Sequence, residues 1–483
     1  MRLRPSPWWW ALGAILGLRL GSMAWMPLAS TSEPRYAEVA RLMALKGDWI
    51  TPWFTPELPF WGKPPLSFWT EAIAFKLLGI TEFAARLPSW LATLGGMTLL
   101  FVYARAYFGE RIAQGALLIY ASCALVFMAS GAVLTDPFLA LATTWAMVAL
   151  AMSAKTPSPA WRYGFFVALA VGLLAKGPLM LVLVAGPMVP LFIFYPSLRA
   201  AFKRMPWVSG LALMLLLSVP WYLLAEQKTP GFLNYFLVGE HFLRFVDSGW
   251  AGDLYGVAHK RMKGAIWGEV LVASFPWGLV ALALLLRGFF NPLHRAALWQ
   301  TRRDPDKAFL LAWTLFTPLF FTVSGNILWT YVLPALASFS ILMALALDTP
   351  AFTSRWGQRL RTALIWLMPL LVTGYTAVVT LQPQYLKTEK HLVAYVMQHR
   401  QADEQLVYLD KVPFSATFYS RGQASAVTLK DLSEMSGRTT GLYLALPKDN
   451  LEQLSGALNQ PLVPFFESAE HVLTRIPAVP SGQ

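Results

Sequence analysis

Apolar runs long enough to cross roughly 30 Å of hydrocarbon recur eleven times in this chain. They lie near 8–28, 84–104, 111–129, 135–153, 161–175, 178–195, 207–225, 267–287, 308–323, 329–347 and 360–381. In hydrocarbon every backbone N–H and C=O must be satisfied within the segment, so such runs are read as helices. Only 13% of the 483 residues are charged, against about 25% in soluble domains, and mean hydropathy is +0.49. The first constraint is therefore a polytopic α-helical membrane protein with about 11 transmembrane helices. Trp (21 residues) and Pro (34) suit interfacial belts and broken helices.

A net charge of +13 raises nucleic acid as a partner. The cations instead cluster in short loops between apolar runs, which is a topology signal. Arg2, Arg4, Arg105, Arg111, Lys155, Arg162, Lys203, Arg204, Arg302 and Arg303 fall on one side, read as cytoplasmic. The short loops of the other side hold only Lys176. The N-terminus is then cytoplasmic, its first apolar run an uncleaved span. The loops 30–83 and 226–266 and the tail face outward, toward a periplasm if there is one. The segment 65–79, carrying Glu71 and Lys76, reads as an amphipathic helix lying on the membrane. The lone Cys123 excludes an intrachain disulfide or a cysteine metal cluster.

From about residue 384 the pattern changes to short elements. HLVAYVMQHR reads as helix, QLVYL as strand, PFSATFYS as helix or turn, KDLSEM as helix, GLYLAL as strand, NLEQLSGAL as helix and HVLTRI as strand. That alternation predicts a small C-terminal α/β domain over 384–483. A membrane domain covers 1–383.

Five outward-facing stretches carry the ionisable residues. Ser32 as N-cap, Pro34 in the first turn and Gly47 as a stop predict a short helix that begins at Glu33, with Arg35 and Tyr36 in the same turn. Glu33 there either activates a hydroxyl or holds a metal, or only complements the helix dipole. Trp61-Gly62-Lys63-Pro64-Pro65 presents Lys63 to a phosphate or to lipid headgroups. Asp136, before Pro137 at a span start, is a functional carboxylate or a helix cap. Lys176-Gly177-Pro178 offers an anion contact or a snorkelling side chain. In Gly239-Glu240-His241-Phe242-Leu243-Arg244-Phe245, Glu240 and Arg244 are spaced i,i+4. His241 is a metal ligand, an acid/base or a simple hydrogen-bonding group. His259, Lys260, Arg261 and Lys263 add positive charge beyond it. Carboxylates and cations on one outer face suit group transfer from an anionic lipid phosphate. Composition and span number also fit a transporter or flippase, or a non-catalytic lipid-binding protein.

These motifs, in this order, resemble the aminoarabinose transferase (ArnT-like) and protein O-mannosyltransferase group of GT-C membrane glycosyltransferases. The residues are Glu33-x-Arg35-Tyr36-Ala37-Glu38, Gly47-Asp48-Trp49, Lys63-Pro64-Pro65, Asp136-Pro137, Lys176-Gly177, Glu240-His241-x-x-Arg244-Phe245 and Tyr331-Val332-Leu333-Pro334. The resemblance implies a GT-C fold with a periplasmic C-terminal α/β domain in a bacterial inner membrane. It implies a polyprenyl (undecaprenyl) phosphate sugar donor, a lipid A-like or other glycan acceptor, and inversion at the anomeric carbon. By it, Glu33 and Asp136 are the catalytic candidates. Lys63, Lys176 and Arg244 are the donor-phosphate ligands, and Arg35, Tyr36, His241 and Tyr331 shape the substrate cavity. A divalent metal would draw on Glu33, Asp136 and His241. The chain departs from the pattern at Ser32 and Gly62, where the aminoarabinose transferases carry acids. It departs again at Asn326-Ile327-Leu328-Trp329, where they place a lysine.

Overall fold

The structure, a computed structural model, describes residues 7–29, 31–156, 158–247, 249–256, 260–291, 303–434, 441–451 and 462–476. His259, residues 452–458 of the helix expected at NLEQLSGAL, and the charge-asymmetry residues Arg2, Arg4 and Arg302 lie outside them.

The first half of the chain is α1 (Pro7–Trp25), α2 (Ser32–Lys46), α3 (Leu66–Leu78), α4 (Glu82–Phe108), α5 (Glu110–Ser122), α6 (Ala124–Ala129), α7 (Asp136–Lys155), α8 (Pro159–Lys176) and α9 (Leu179–Phe194). Long helices follow at Trp207–Lys228, Pro305–Phe321 and Arg355–Leu381, and a 3-10 turn at Trp329–Ala335 leads into Leu336–Leu347. Every expected apolar run falls on a helix or a helix pair. Among the described residues, five helices are long and apolar enough to cross a membrane by length and composition: α4, α7, Trp207–Lys228, Trp329–Leu347 and Arg355–Leu381. The run expected as one span at 267–287 is instead two helices, Ile266–Ala273 and Trp277–Phe290, bent by 115°. Pro276 lies at the break, where it supplies no N–H and cannot continue the first helix. The run at 111–129 likewise breaks at Cys123, whose extended backbone separates α5 from α6.

The main core is built where α4, α5, α7 and α8 meet Leu336–Leu347, through Leu100, Tyr103, Ile119, Met147 and Phe166. Small residues let these helices approach. Gly210 lies against the Phe166 ring and leaves no room there for a Cβ.

α2 and α3 lie outside this bundle and pack on each other and on α4 through Met43, Phe68, Ala72 and Phe75. Gly47 ends α2 in the left-handed conformation (φ 67°), its N–H bonded to the Met43 carbonyl, the ending its sequence predicts. The start shifts by one residue: Thr31 holds the cap position and Ser32 is the first helical residue. α3 corrects its sequence reading more substantially. Lys76 is exposed, but Glu71 points inward and is 1% exposed. Neither Glu71 carboxylate oxygen has a hydrogen-bond partner. Burial, then the nearby Glu33 charge, push its carboxyl well above the usual carboxylate range.

The tail forms a five-stranded sheet of order β2-β1-β3-β5-β4, with strands Gln405–Leu409, Ser425–Val427, Leu442–Pro447, Phe466–Glu467 and His471–Ile476 in chain order. β1 runs parallel to β2 and β3, and β5 is antiparallel to β3 and β4. The central strands β1 and β3 are buried almost throughout, as parallel strands covered on both faces are. The sheet unit is fastened to the helices beside the first loop. Lys390 pairs with Glu82 at 2.5 Å, and the Tyr419 hydroxyl donates to the same carboxylate and accepts from the Leu28 N–H. Thr388 Oγ1 donates to the Leu28 carbonyl, and Phe418 lies against Phe75.

Candidate active site

The two long outer loops clasp each other. The Tyr255 hydroxyl donates to the Pro59 carbonyl and accepts from the Trp61 N–H, while Arg35 donates to the Tyr255 carbonyl. Trp61 Nε1 reaches Thr229 Oγ1, and Trp221 Nε1 reaches the Ile50 carbonyl. Beneath this clasp lies a cavity of about 960 Å³. Glu33, Arg35, Tyr36, Lys63, Asp136, Lys176, His241, Arg244 and Tyr331 all line it. The structure thus brings together every site residue read from the sequence.

Glu33 opens α2 at the point where the chain leaves α1. Its carboxylate accepts two hydrogen bonds from Arg86 of α4, at 2.9 and 2.7 Å, and one from the Val133 N–H at 3.1 Å. Burial pushes this carboxyl up, but Arg86 and the Val133 amide outweigh burial and hold it below the ordinary glutamate value. Oε1 is engaged by two donors and Oε2 by one. An ionised carboxylate oxygen has two acceptor positions, so Oε2 keeps one for a ligand hydroxyl.

Asp136 opens α7, with Thr135 rather than Asp136 in the cap position, and pairs with Lys176 at the end of α8. The Lys176 ammonium also lies 4.7 Å from the centre of the Tyr331 ring, within cation–π range. Gly177 makes this corner possible. It adopts φ +77°, and a Cβ there would come within 2.7 Å of the Phe236 ring.

Phe236 belongs to a π-helical segment, Asn234–Leu243, which presents Glu240 and His241 to the cavity. Glu240 takes both Lys63 (3.1 Å) and Arg244 (2.8 Å), and Arg244 also reaches Asp253 at 3.3 Å. The i,i+4 pairing of Glu240 and Arg244 is the one their spacing predicts. Burial pushes the Glu240 carboxyl up, and its two cations more than reverse that. His241 has Nδ1 at 2.8 Å from the Phe236 carbonyl and Nε2 at 3.0 Å from the Lys176 carbonyl. Burial lowers its pKa, against the two carbonyls, which favour the protonated ring; a neutral ring has one N–H and can donate to only one of them. The metal set read from the sequence does not assemble: Glu33 is bound by Arg86, Asp136 by Lys176, and His241 by two carbonyls. Among the described residues no group of three or more His, Cys, Asp or Glu side chains is placed to hold an ion.

Residues 62–223 match the family described as dolichyl-phosphate-mannose-protein mannosyltransferase. An undecaprenyl phosphate-alpha-4-amino-4-deoxy-L-arabinose arabinosyl transferase of Serratia proteamaculans is 31% identical over 335 residues, 67% of this chain and 55% of that protein. A protein of the same name from Yersinia pestis is 30% identical over 331 residues, again 67% of this chain and 55% of its own length. The chain therefore spans about half the length of the curated relatives it matches. Among solved structures, ArnT from Cupriavidus metallidurans bound to undecaprenyl phosphate superposes with a TM-score of 0.79 at 18% identity, over 99% of both chains. The archaeal oligosaccharyltransferase AglB from Archaeoglobus fulgidus superposes with 0.54 at 11% identity, over 95% of this chain and 71% of that one.

The chain has the ArnT-like GT-C fold.

Its site contains residues that the motif reading passed over. Arg86, the partner of Glu33, is an intramembrane cation near the start of the second apolar run, and such a residue is a functional candidate by position alone. Asp253 follows the recognised motif by only a few residues. Lys411 and Phe414 come from the tail and reach the cavity from the far end of the sequence, which no local pattern announces. Ser32 and Gly62, where this chain departs from the pattern it otherwise resembles, line the cavity as well.

Proposed function

We propose that this chain is a multi-pass glycosyltransferase of a bacterial inner membrane, moving a sugar from a polyprenyl-phosphate donor to a lipid A-like or other cell-envelope acceptor. In this reading about eleven helical segments cross or enter the bilayer, the N-terminus is cytoplasmic, and the cavity and the 384–483 domain are periplasmic. The observation that carries it is one cavity holding an ionised carboxylate, Glu33, together with three cations from three elements, Lys63, Lys176 and Arg244. The names of the relatives, and the undecaprenyl phosphate in the ArnT structure of the same fold, point to the same donor class.

The acceptor oxygen attacks the anomeric carbon while the bond from that carbon to the phosphate oxygen breaks, with inversion. Glu33 Oε2 takes the proton of an attacking hydroxyl. The leaving polyprenyl phosphate carries the negative charge, which Lys63, Arg244 and Lys176 stabilise as it develops. Asp136 holds Lys176 in place and is the second carboxylate within the cavity. Arg35, Tyr36, His241 and Tyr331 shape the pocket. The test is Glu33→Gln in the purified chain, with transfer from undecaprenyl-phosphate sugar followed by lipid mass spectrometry. The variant folds and loses transfer. Wild-type turnover removes Glu33 from the mechanism. Comparing envelope lipids of deletion and wild-type cells identifies the sugar, because hexose, pentose and amino sugar differ in mass.

A further inference from the structure

α1 is apolar except for Arg19, which is 6% exposed. A guanidinium in such a place needs compensating partners, and the protein supplies only part of them. One terminal nitrogen donates to Ser22 Oγ at 3.1 Å and the other to the Met128 carbonyl at 2.6 Å, with the Phe127 ring beside it. Nε is buried with no acceptor. Among the described residues Arg19 has no carboxylate in ion-pair contact. Lys63, Arg86, Lys176 and Arg244 each hold one. The backbone makes room for the group: a Cβ at Gly131 would collide with the guanidinium, at Nε first.

Arg19 and Gly131 both line the cavity. The four carboxylates of that cavity, Glu33, Asp136, Glu240 and Asp253, are already bound to other cations. Glu33 acts on Arg19 only from beyond ion-pair distance, so a direct anionic partner is left for a ligand to supply. We infer that Arg19, seated against Gly131, is a second oxyanion subsite, which takes the acidic group, phosphate or carboxylate, of the acceptor lipid. The inference rests on the transferase reading above.

Position separates it from the donor phosphate. The donor cations come from the first loop, α8 and the turn that follows the π segment. Arg19 comes from α1 and is held by the end of α6. It adjoins Glu33 instead, because Val133, two residues past Gly131, donates its N–H to that carboxylate. An anion held by Arg19 therefore brings its own reactive oxygen toward the Glu33 carboxylate. The wall continues along Leu371 and Tyr375 of Arg355–Leu381, which line the cavity and are also exposed. That gives the apolar tail of a lipid a way in from the side.

The experiment measures binding of two probes, diphosphoryl lipid A and undecaprenyl phosphate, to the full-length chain in nanodiscs by native mass spectrometry. Arg19→Gln and Gly131→Ala each weaken diphosphoryl lipid A about tenfold or more, the effect expected for a charge-assisted contact, and leave undecaprenyl phosphate within about twofold. Gly131→Ala keeps the charge and only displaces it, so it serves if Arg19→Gln fails to fold. Wild-type affinity for diphosphoryl lipid A in both variants overturns the inference. So does a loss confined to undecaprenyl phosphate, which would give the oxyanion to the donor. Lys63→Gln, run in parallel, weakens undecaprenyl phosphate. If it does not, the donor reading fails rather than the Arg19 subsite.

Discussion

Arg86 is the residue on which the geometry of Glu33 depends, so Arg86→Gln is the most demanding perturbation. The guanidinium is 1% exposed. It donates two hydrogen bonds to Glu33 and three to the carbonyls of Met23, Met26 and Pro27, where the chain turns from α1 toward α2. Removing one partner of a buried ion pair costs about 3–5 kcal/mol, chiefly because the other charge is left without compensation. The loss of Arg86→Gln should fall in that range. Glu33→Gln in the same background removes the stranded charge, so the double variant should be more stable than the sum of the singles by about 1–3 kcal/mol. Urea unfolding in detergent micelles, read by tryptophan fluorescence, gives all four corners of the cycle.

The pH dependence carries a second test of the same pair. The native Glu33 carboxyl lies below its ordinary value of 4.5. Its contribution to stability is therefore present above that value and lost as pH falls through the depressed native one. Without Arg86, burial dominates and raises the native value above 4.5. The sign then reverses: the contribution is present at acid pH and lost as pH rises through the raised value. The destabilisation by Arg86→Gln should thus grow from about pH 4 to pH 7. Strictly additive singles, or a destabilisation that does not change with pH, would refute the coupling of Arg86 to Glu33.

Three further outcomes follow from the other cavity contacts. Glu240→Gln releases Lys63 and Arg244 from their shared carboxylate, so it should bind undecaprenyl phosphate more tightly, by about tenfold for each 1.4 kcal/mol gained; unchanged or weaker affinity in a binding titration argues against those two cations as phosphate ligands. His241→Phe removes the ring N–H that a neutral imidazole gives to the Phe236 or the Lys176 carbonyl and should cost about 1–3 kcal/mol; the shape of the pH–rate profile should not change, and a lost limb would mean that His241 titrates during turnover. Gly177→Ala forces a side chain onto a backbone of φ 77° and ψ −153°, open essentially only to glycine, about 1–3 kcal/mol, and drives a methyl into the Phe236 ring, about 1–3 kcal/mol; a melting temperature equal to wild type would contradict the close packing at that corner.

How far the sequence was legible depended on the range of each interaction. Apolar length marked the helices, because a hydrocarbon core leaves the backbone no alternative. Gly47 marked the end of α2 through a local conformational need. In the tail, alternation marked three of the five strands, and GLYLAL is the buried central strand β3; the short β2 and β4, two or three residues each, left no alternation to read. What failed to show was pairing across the chain. Glu33 reads as an unpaired acid until α4 brings Arg86 to it. Glu71 reads as the polar face of α3 until α2 and α4 cover it. The bend at Pro276 is also tertiary in its consequences, since the Phe275 carbonyl turns to accept from the Ala124 N–H, at the break between α5 and α6.

The departure at Gly62 shows the same dependence on packing. On sequence it is a missing acid beside Lys63. In the structure a Cβ at position 62 would stand 3.0 Å from the Phe60 ring and 3.5 Å from Tyr255. Those two rings lie 4.6 Å apart, within a cluster that includes Tyr36, Phe54 and Phe68 and extends to Phe414 of the tail. The same Tyr255 carries the hydrogen bonds that close the two outer loops over the cavity. An acidic side chain cannot be added at 62 as charge alone; it would first have to move Phe60. Lys63 pairs with the carboxylate of Glu240, one element away, so it is neutralised without an acid at 62 while the aromatic cluster stays closed.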